Sequence, residues 1–177
     1  MNIETSTLHT ARLALRPLKE SDAAVLYRIY QSPGLLQYFP NPHPPSLDKV
    51  QRFISGQHEH WQQYGYGDWG ILPEGENEIA GWAGLQFLPE LNETEVGFVL
   101  DRPFWGLGYA TEAAIASLRF GFENASLGYI IALVHPENVA SIRVIEKCKM
   151  GYVDCIKLWG IELRRYQITR SAGEKIT

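Results

Sequence analysis

Polar and apolar residues alternate from Arg12 to Leu18, with Leu13 and Leu15 on one side, and this period of two predicts a first strand. Lys19-Glu20-Ser21-Asp22 follows with capping side chains. Ala23, Leu26, Tyr27 and Tyr30 then recur at helical spacing until Pro33-Gly34 stops the run. The stretch Gln37-Tyr38-Phe39-Pro40-Asn41-Pro42-His43-Pro44-Pro45 is aromatic and proline-rich, which predicts a stiff, ordered loop rather than a flexible linker. Ser46 caps a second helix whose stripe holds Val50, Phe53, Ile54 and Gln57 and which ends near Tyr64.

Gly67 to Leu72, Glu78 to Leu88 and Glu93 to Leu100 read as an antiparallel meander, joined by the turns Pro73-Glu74-Gly75-Glu76-Asn77 and Pro89-Glu90-Leu91-Asn92. A helical pattern then reaches about Glu123 and a buried strand covers Tyr129 to Val134. His135-Pro136-Glu137-Asn138 opens a further helix with Val139, Ile142 and Ile145 as apolar positions, and two strands, Tyr152 to Ile156 and Leu158 to Ile168, close the chain. No repeat, linker or low-complexity tract interrupts this order. Residues 1–177 therefore read as one mixed α/β domain, its ordered core over about 8–170 and a frayed tail from Ser171 to Thr177.

One junction carries chemistry. Val96-Gly97-Phe98-Val99-Leu100, an apolar strand, runs through Phe104-Trp105-Gly106-Leu107-Gly108 into the helix that begins Tyr109-Ala110-Thr111-Glu112-Ala113. The first N–H groups of a helix lack intrahelical partners and sit at its positive end, which suits a phosphate. Gly106 and Gly108 free the backbone to bend and put no Cβ between its N–H groups and a ligand. The small face Ala110, Ala113, Ala114, Ser117, Leu118 and Gly121 lets the helix lie close to a sheet. The plainer alternative is a tight turn between packed elements. A dinucleotide fingerprint would want glycine or alanine at Thr111 and an acid roughly 20 residues on, and a Walker loop would want Gly-Lys-Ser/Thr; neither pattern is present.

A formal net charge of -4 gives no support to a general nucleic-acid or acidic-membrane binder, so any phosphate site is local. Met1-Asn2-Ile3-Glu4-Thr5 has neither the basic start nor the apolar core of a secretory signal, and no stretch approaches the roughly 20 apolar residues of a membrane span, which points to the cytoplasm. Cys148 and Cys155 read as reduced thiols rather than a bridge. The five histidines show no zinc spacing, His58 and His60 pointing to different helix faces.

The run Trp105-Gly106-Leu107-Gly108-Tyr109-Ala110-Thr111-Glu112-Ala113, with Pro136-Glu137-Asn138-Val139-Ala140-Ser141-Ile142-Arg143-Val144-Ile145-Glu146-Lys147 further on, resembles the GNAT acyl-CoA-dependent N-acetyltransferases. The likeness is greatest to their branch typified by the RimJ/RimL ribosomal-protein N-terminal acetyltransferases. It extends from Leu13-Ala14-Leu15-Arg16-Pro17-Leu18 to the last strand and is weakest in the remainder of the first third. The resemblance implies a GNAT fold: a twisted, mostly antiparallel sheet of about six to seven strands with a splayed parallel pair, flanked by about four helices. It implies acetyl-CoA as co-substrate, an amine acceptor (a peptide N-terminus or a small molecule) entering beneath the helix–loop–helix segment, no metal, and a homodimer as a common assembly.

By the same resemblance the backbone of Phe98, Val99 and Leu100 runs beside the pantetheine arm, and N–H groups of Gly106, Leu107, Gly108, Tyr109, Ala110 and Thr111 take the diphosphate. Val99 and Leu100 also read as ordinary strand core. Gly97 marks either a bulge or a close ligand approach. Asn138 is a cofactor contact and, from its place before an apolar helix, equally an N-cap. Many relatives carry a tyrosine acid where Ile145 stands, and isoleucine donates no proton; in the RimJ/RimL branch a serine in the position of Ser141 lies near the sulfur. Arg143, with Arg102, Lys147 and Lys149, is a candidate for CoA phosphates, or simply a solvated charge. Pro103 offers no side-chain contact, and Lys149 stands where relatives place a helix-ending glycine, which demands left-handed backbone or another cap.

Glu95 is the candidate base, or the residue that orders a water acting as one. It shares a strand face with Gly97 and Val99, and a base working near neutral pH requires burial to raise its pKa. The alternative for Glu95 is a solvated acid beside Glu90 and Glu93; Asp101 is the second choice of base. Direct attack of a primary amine on acetyl-CoA in a ternary complex is the leading reading of function. A non-catalytic acyl-CoA-binding or sensing module is the rival.

Overall fold

The computed structural model describes residues 7–173. The amino-terminal residues read above for a leader, and the last four of the expected tail, lie outside them. Short strand β1 (Leu8–His9) precedes β2 (Leu13–Pro17), α1 (Ala23–Tyr30), α2 (Leu47–Tyr64), β3 (Asp68–Pro73), β4 (Gly81–Leu88), β5 (Glu93–Leu100) and α3 (Tyr109–Glu123). Then come β6 (Tyr129–Val134), α4 (Val139–Lys147), β7 (Gly151–Leu158), β8 (Ile161–Thr169) and the single turn α5 (Arg170–Gly173). The strands form one sheet in the order β1-β2-β3-β4-β5-β6-β8-β7, antiparallel throughout except between β5 and β6.

Helices cover both faces. On one, α3 packs its small residues Ala113, Ala114 and Ser117 against the sheet around Trp69, Ile71, Ala83 and Leu85, all buried. Contact is close enough that a Cβ on Gly121 would meet Ile130 Cδ1 at 2.7 Å and Leu85 Cδ1 at 2.8 Å. On the other face Leu26 and Ile29 of α1 and Val50 and Ile54 of α2 bury against Leu18, Ile79 and Val99. Each wholly buried leucine or isoleucine here contributes about 1.5–3 kcal/mol by leaving water.

The local signals hold for α2, where Ser46 Oγ accepts the Lys49 N–H and left-handed Gly65 ends the helix; α1 has no side-chain cap, because Asp22 instead accepts the Lys19 N–H and pairs with Arg16. Five expectations change, the first being that the closing hairpin turns at Trp159-Gly160, so that Leu158 ends β7 instead of opening β8. The sheet has eight strands rather than six to seven, the addition being the two-residue edge strand β1, too short to show a period. The strand expected from Glu78 starts at Gly81, because Ile79 is drawn down as a plug in the α1–α2 core while Glu78 pairs with Arg28 at 2.7 Å. The expected tail begins with a helical turn in which Gly173 is buried against Phe122. Gly97 is not a bulge: β4–β5 pairing runs without a shift from Gly81↔Leu100 to Leu88↔Glu93. The glycine instead makes room for the Trp82 ring, whose Cζ3 would lie 3.3 Å from a Cβ there.

Candidate active site

The parallel pair parts almost as soon as it meets. β5 and β6 share one paired rung, Glu95 with Ile131. Two residues on, Leu133 has no β5 backbone to bond, and its N–H donates to Glu95 Oε1 at 3.1 Å. The side chain thus takes the place of the strand partner. Beyond it opens a slot of about 170 Å³ reached by Glu95, Gly97, Phe98, Ser141 and Ile145. Glu95 keeps some surface, but its carboxyl is surrounded; burial pushes its pKa up to about 7, against the opposing pull of the Leu133 N–H.

A second acid lies in the same sheet. Asp68 pairs across with Gly84, which pairs with Gly97, so the three form one row leading toward the slot. Asp68 Oδ1 would lie 2.5 Å from a Cβ on Gly84, so this glycine is what admits the carboxyl. Asp68 is 1% exposed, and its Oδ2 has no hydrogen-bond partner. Burial first, and the charge of Glu95 second, raise its pKa well above the ordinary value. Both shifts run the same way, so the two neighbouring acids each hold a proton to higher pH than free carboxyls do.

The glycine turn stands at the same end of the sheet. Gly106 and Gly108 take left-handed φ values of 77° and 85°. The first helical bond of α3 runs from Glu112 N–H to Gly108 O at 3.0 Å, leaving the N–H groups of Tyr109, Ala110 and Thr111 ahead of the ladder. Arg12 braces the turn from behind: Nη1 donates to Leu107 O at 2.8 Å, Nε donates to Glu112 Oε2 at 2.8 Å, and the guanidinium lies 4.8 Å from the Tyr109 ring centre. Burial alone would raise the Glu112 pKa, but hydrogen bonds from Thr10 and Arg12 outweigh it and hold it below the usual carboxylate range. Gly108 and Thr111 also border a wider cavity of about 620 Å³ across the outer side of α3, with Arg12, Arg119 and Lys147.

The remaining candidates separate. Asn138 Oδ1 accepts the Ser141 N–H at 3.1 Å, so the carboxamide caps α4, while Asn138, Ser141 and Ile145 all border the slot. Val99 and Leu100 are 4% and 6% exposed and sit in opposite cores, which leaves only their backbone to a ligand. Asp101 is spent on the N–H of Arg102 and the hydroxyl of Ser32. Arg102 donates to Pro33 O and lies over Trp105, and Pro103 is exposed in the turn between them. Arg143 is exposed and borders neither cavity. Lys149 adopts φ 60°, the left-handed geometry its place required.

The aromatic residues of the helix–loop–helix segment divide too. Tyr38 and Phe39, with Pro40, border the slot, whereas Trp61 is core against Trp69 and Phe120. Sequence reasoning did not single out Arg12, Asp68, Trp82 or Trp159. The first read as a strand start, and an acid in a strand opposite a glycine was the one available sign of the second. Among the described residues no three His, Cys, Asp or Glu side chains converge as a metal site, and no helix is long and apolar enough to cross a membrane.

A pair of parted strands with a near-neutral carboxyl at the fork, beside a helix entrance rich in N–H groups, can hold an extended phosphate ester and deprotonate a nucleophile at its far end. The chain is similar to known proteins. The family described as "Acetyltransferase (GNAT) domain" matches residues 12–151. YkkB of Bacillus subtilis (strain 168), an uncharacterized protein, is 33% identical over 94% of this chain and 97% of its own. The FsC-acetyl coenzyme A-N(2)-transacetylase of Aspergillus fumigatus is 30% identical over 84% of this chain and 66% of its own. A solved structure of RimL, a ribosomal L7/L12 alpha-N-protein acetyltransferase in complex with coenzyme A, superposes with a TM-score of 0.79 at 20% identity, covering 93% of this chain and 98% of that one.

Proposed function

The chain belongs to the GNAT acetyltransferases, and from that membership we propose that it moves the acetyl group of acetyl-CoA onto a primary amine within a ternary complex. The family supplies the co-substrate. The fork at Glu95 supports the direct route, since a carboxyl with a pKa of about 7 is half ionised near neutral pH and can take a proton from an arriving ammonium. The neutral nitrogen attacks the thioester carbonyl, a C–N bond forms and the C–S bond breaks, and the nitrogen's surplus proton passes to the departing CoA thiolate, leaving amide and CoA thiol.

Each group has a place in this reading. N–H groups from Gly106 through Thr111 hold the diphosphate, and the backbone of Phe98, Val99 and Leu100 flanks the pantetheine arm. Asn138 holds the start of α4 so that Ser141 lies along the slot, where its hydroxyl is the donor nearest the departing sulfur. A thiol of pKa roughly 8.5 leaves with little help, so the isoleucine at 145 is compatible with turnover. The RimL likeness, at 20% identity, speaks for the fold. A RimJ/RimL-type acceptor, a protein N-terminus, is one arm of the test and small amines are the other.

The rival, acyl-CoA binding without transfer, draws on the same Ile145, which is buried and stands where, by the family resemblance, many relatives place a tyrosine acid. Release of free CoA thiol from acetyl-CoA over a panel of amines and N-terminal peptides separates the two. Amine-dependent release supports transfer. Tight CoA binding with no release across the panel supports the rival.

A further inference from the structure

Aromatic rings make up part of the wall of the slot beside Glu95, among aliphatic and polar side chains. Tyr38 and Phe39 stand on one side, Trp82 over Gly97, and Trp159 at the mouth. Three of these rings are tied in place. Tyr38 stacks on His135 with centroids 5.3 Å apart. Trp82 Nε1 donates to Tyr30 Oη at 2.7 Å, and Trp159 Nε1 donates to Glu90 Oε1 at 3.0 Å. Fixed aromatic faces around a carboxylate form a cation site, because each ring face carries partial negative charge and the rings need not reorganise on binding.

The charges agree in sign. Glu95 is in the slot and Glu90 at its rim. Among the described residues bordering the slot there is no lysine or arginine. The Glu137 N–H donates to His135 Nδ1 at 3.2 Å. An ammonium entering here exchanges water for π faces and a carboxylate. A carboxylate on the neighbouring carbon would lose its water, find no cation, and stand close to Glu95.

Resting on the amine-transfer reading above, we propose that the slot selects acceptors by charge and flank: a primary ammonium beside an aromatic or apolar group, with no free carboxylate next to the amine. Free α-amino acids are excluded by repulsion rather than by size. Small aralkylamines and chain-terminal α-amines share the accepted chemistry.

Phenethylamine and phenylalanine decide the matter, since they differ by the carboxylate alone and both carry strongly basic amines. Phenylalaninamide represents the chain terminus. The expected kcat/KM for phenethylamine exceeds that for phenylalanine by at least about tenfold, with phenylalaninamide on the favoured side. The same order is expected when the three are titrated into the protein loaded with CoA, which carries no acetyl group to transfer. Trp159→Ala, at an exposed position, should raise KM for phenethylamine several-fold and leave KM for acetyl-CoA unchanged. Phenylalanine accepted or bound as well as phenethylamine, or no binding by any of the three, overturns the selectivity. Ordered binding without turnover keeps the selectivity and overturns the transfer reading instead.

Discussion

Glu95 accepts the N–H of Leu133 at 3.1 Å, at the point where β5 and β6 cease to pair. The same carboxyl therefore ends a ladder and begins a cavity. Holding a strand amide lowers its proton affinity while burial raises it, and burial wins, which puts its pKa at about 7.

If the ionised carboxylate is the working form, kcat/KM rises with pH through about 7 and levels above it. Glu95→Gln should lower kcat/KM by about 10²–10⁴-fold and abolish that limb while leaving the acetyl-CoA dissociation constant within about twofold. The stability sign is opposite. Because the folded pKa lies above the ordinary 4.5, the native state holds the extra proton between that value and about 7, so wild-type stability falls across this window as pH rises. Unfolding in urea at several pH values checks both proteins.

Asp68 offers a separate titration. Its acid form is held in the folded state, whereas the unfolded chain ionises it above its ordinary 3.8. Asp68→Asn removes that penalty and should raise the melting temperature at pH 7 by at least about 3 °C, the gain shrinking as the pH falls toward 4. Calorimetry at the two pH values gives the comparison. A variant less stable than wild type at pH 7 would mean that the carboxyl is ionised and paired.

Arg12 and Glu112 lie a hundred residues apart and meet at the mouth of α3. An uncompensated carboxylate in the first turn of a helix competes with a bound anion for the same positive end, and Arg12 neutralises it. Arg12→Ala should weaken acetyl-CoA binding by about fivefold to tenfold, and adding Glu112→Gln should recover most of the loss. Titration of the single and double variants tests this. A double variant as weak as the single would assign Arg12 to the phosphates themselves.

Asn138 separates capping from ligand contact. Asn138→Ser keeps an oxygen for the Ser141 N–H and should preserve both stability and CoA affinity. Asn138→Ala should cost about 1 kcal/mol in unfolding experiments. Loss of CoA affinity in the serine variant, with stability intact, would give the carboxamide a direct role.

Most of what lies within one stretch of chain was readable from its residues. Ser46 and Asn138 cap helices as their positions demand, the glycine turn leads from strand to helix, and Lys149 takes the left-handed backbone implied by its place after α4. What escaped depends on partners far apart in sequence. Nothing near Arg12 announces Glu112, and nothing near Asp68 shows that Gly84, on the neighbouring strand, leaves room for its carboxyl. Gly97 was legible as a place of close approach, but the group that approaches is Trp82, placed by pairing between β4 and β5. The walls of the slot were the least legible part, because loop aromatics look alike until packing sends Trp61 to the core and Tyr38 to the opening.

A crystal structure with a thioether analogue of acetyl-CoA, which binds but cannot transfer, is the most direct measurement. The expected result places the diphosphate within about 3.2 Å of backbone nitrogens between Gly106 and Thr111 and the acyl carbonyl in the slot between Glu95 and Ser141. A diphosphate lodged in the broad cavity on the outer side of α3, or an acyl group pointing away from Glu95, would contradict it.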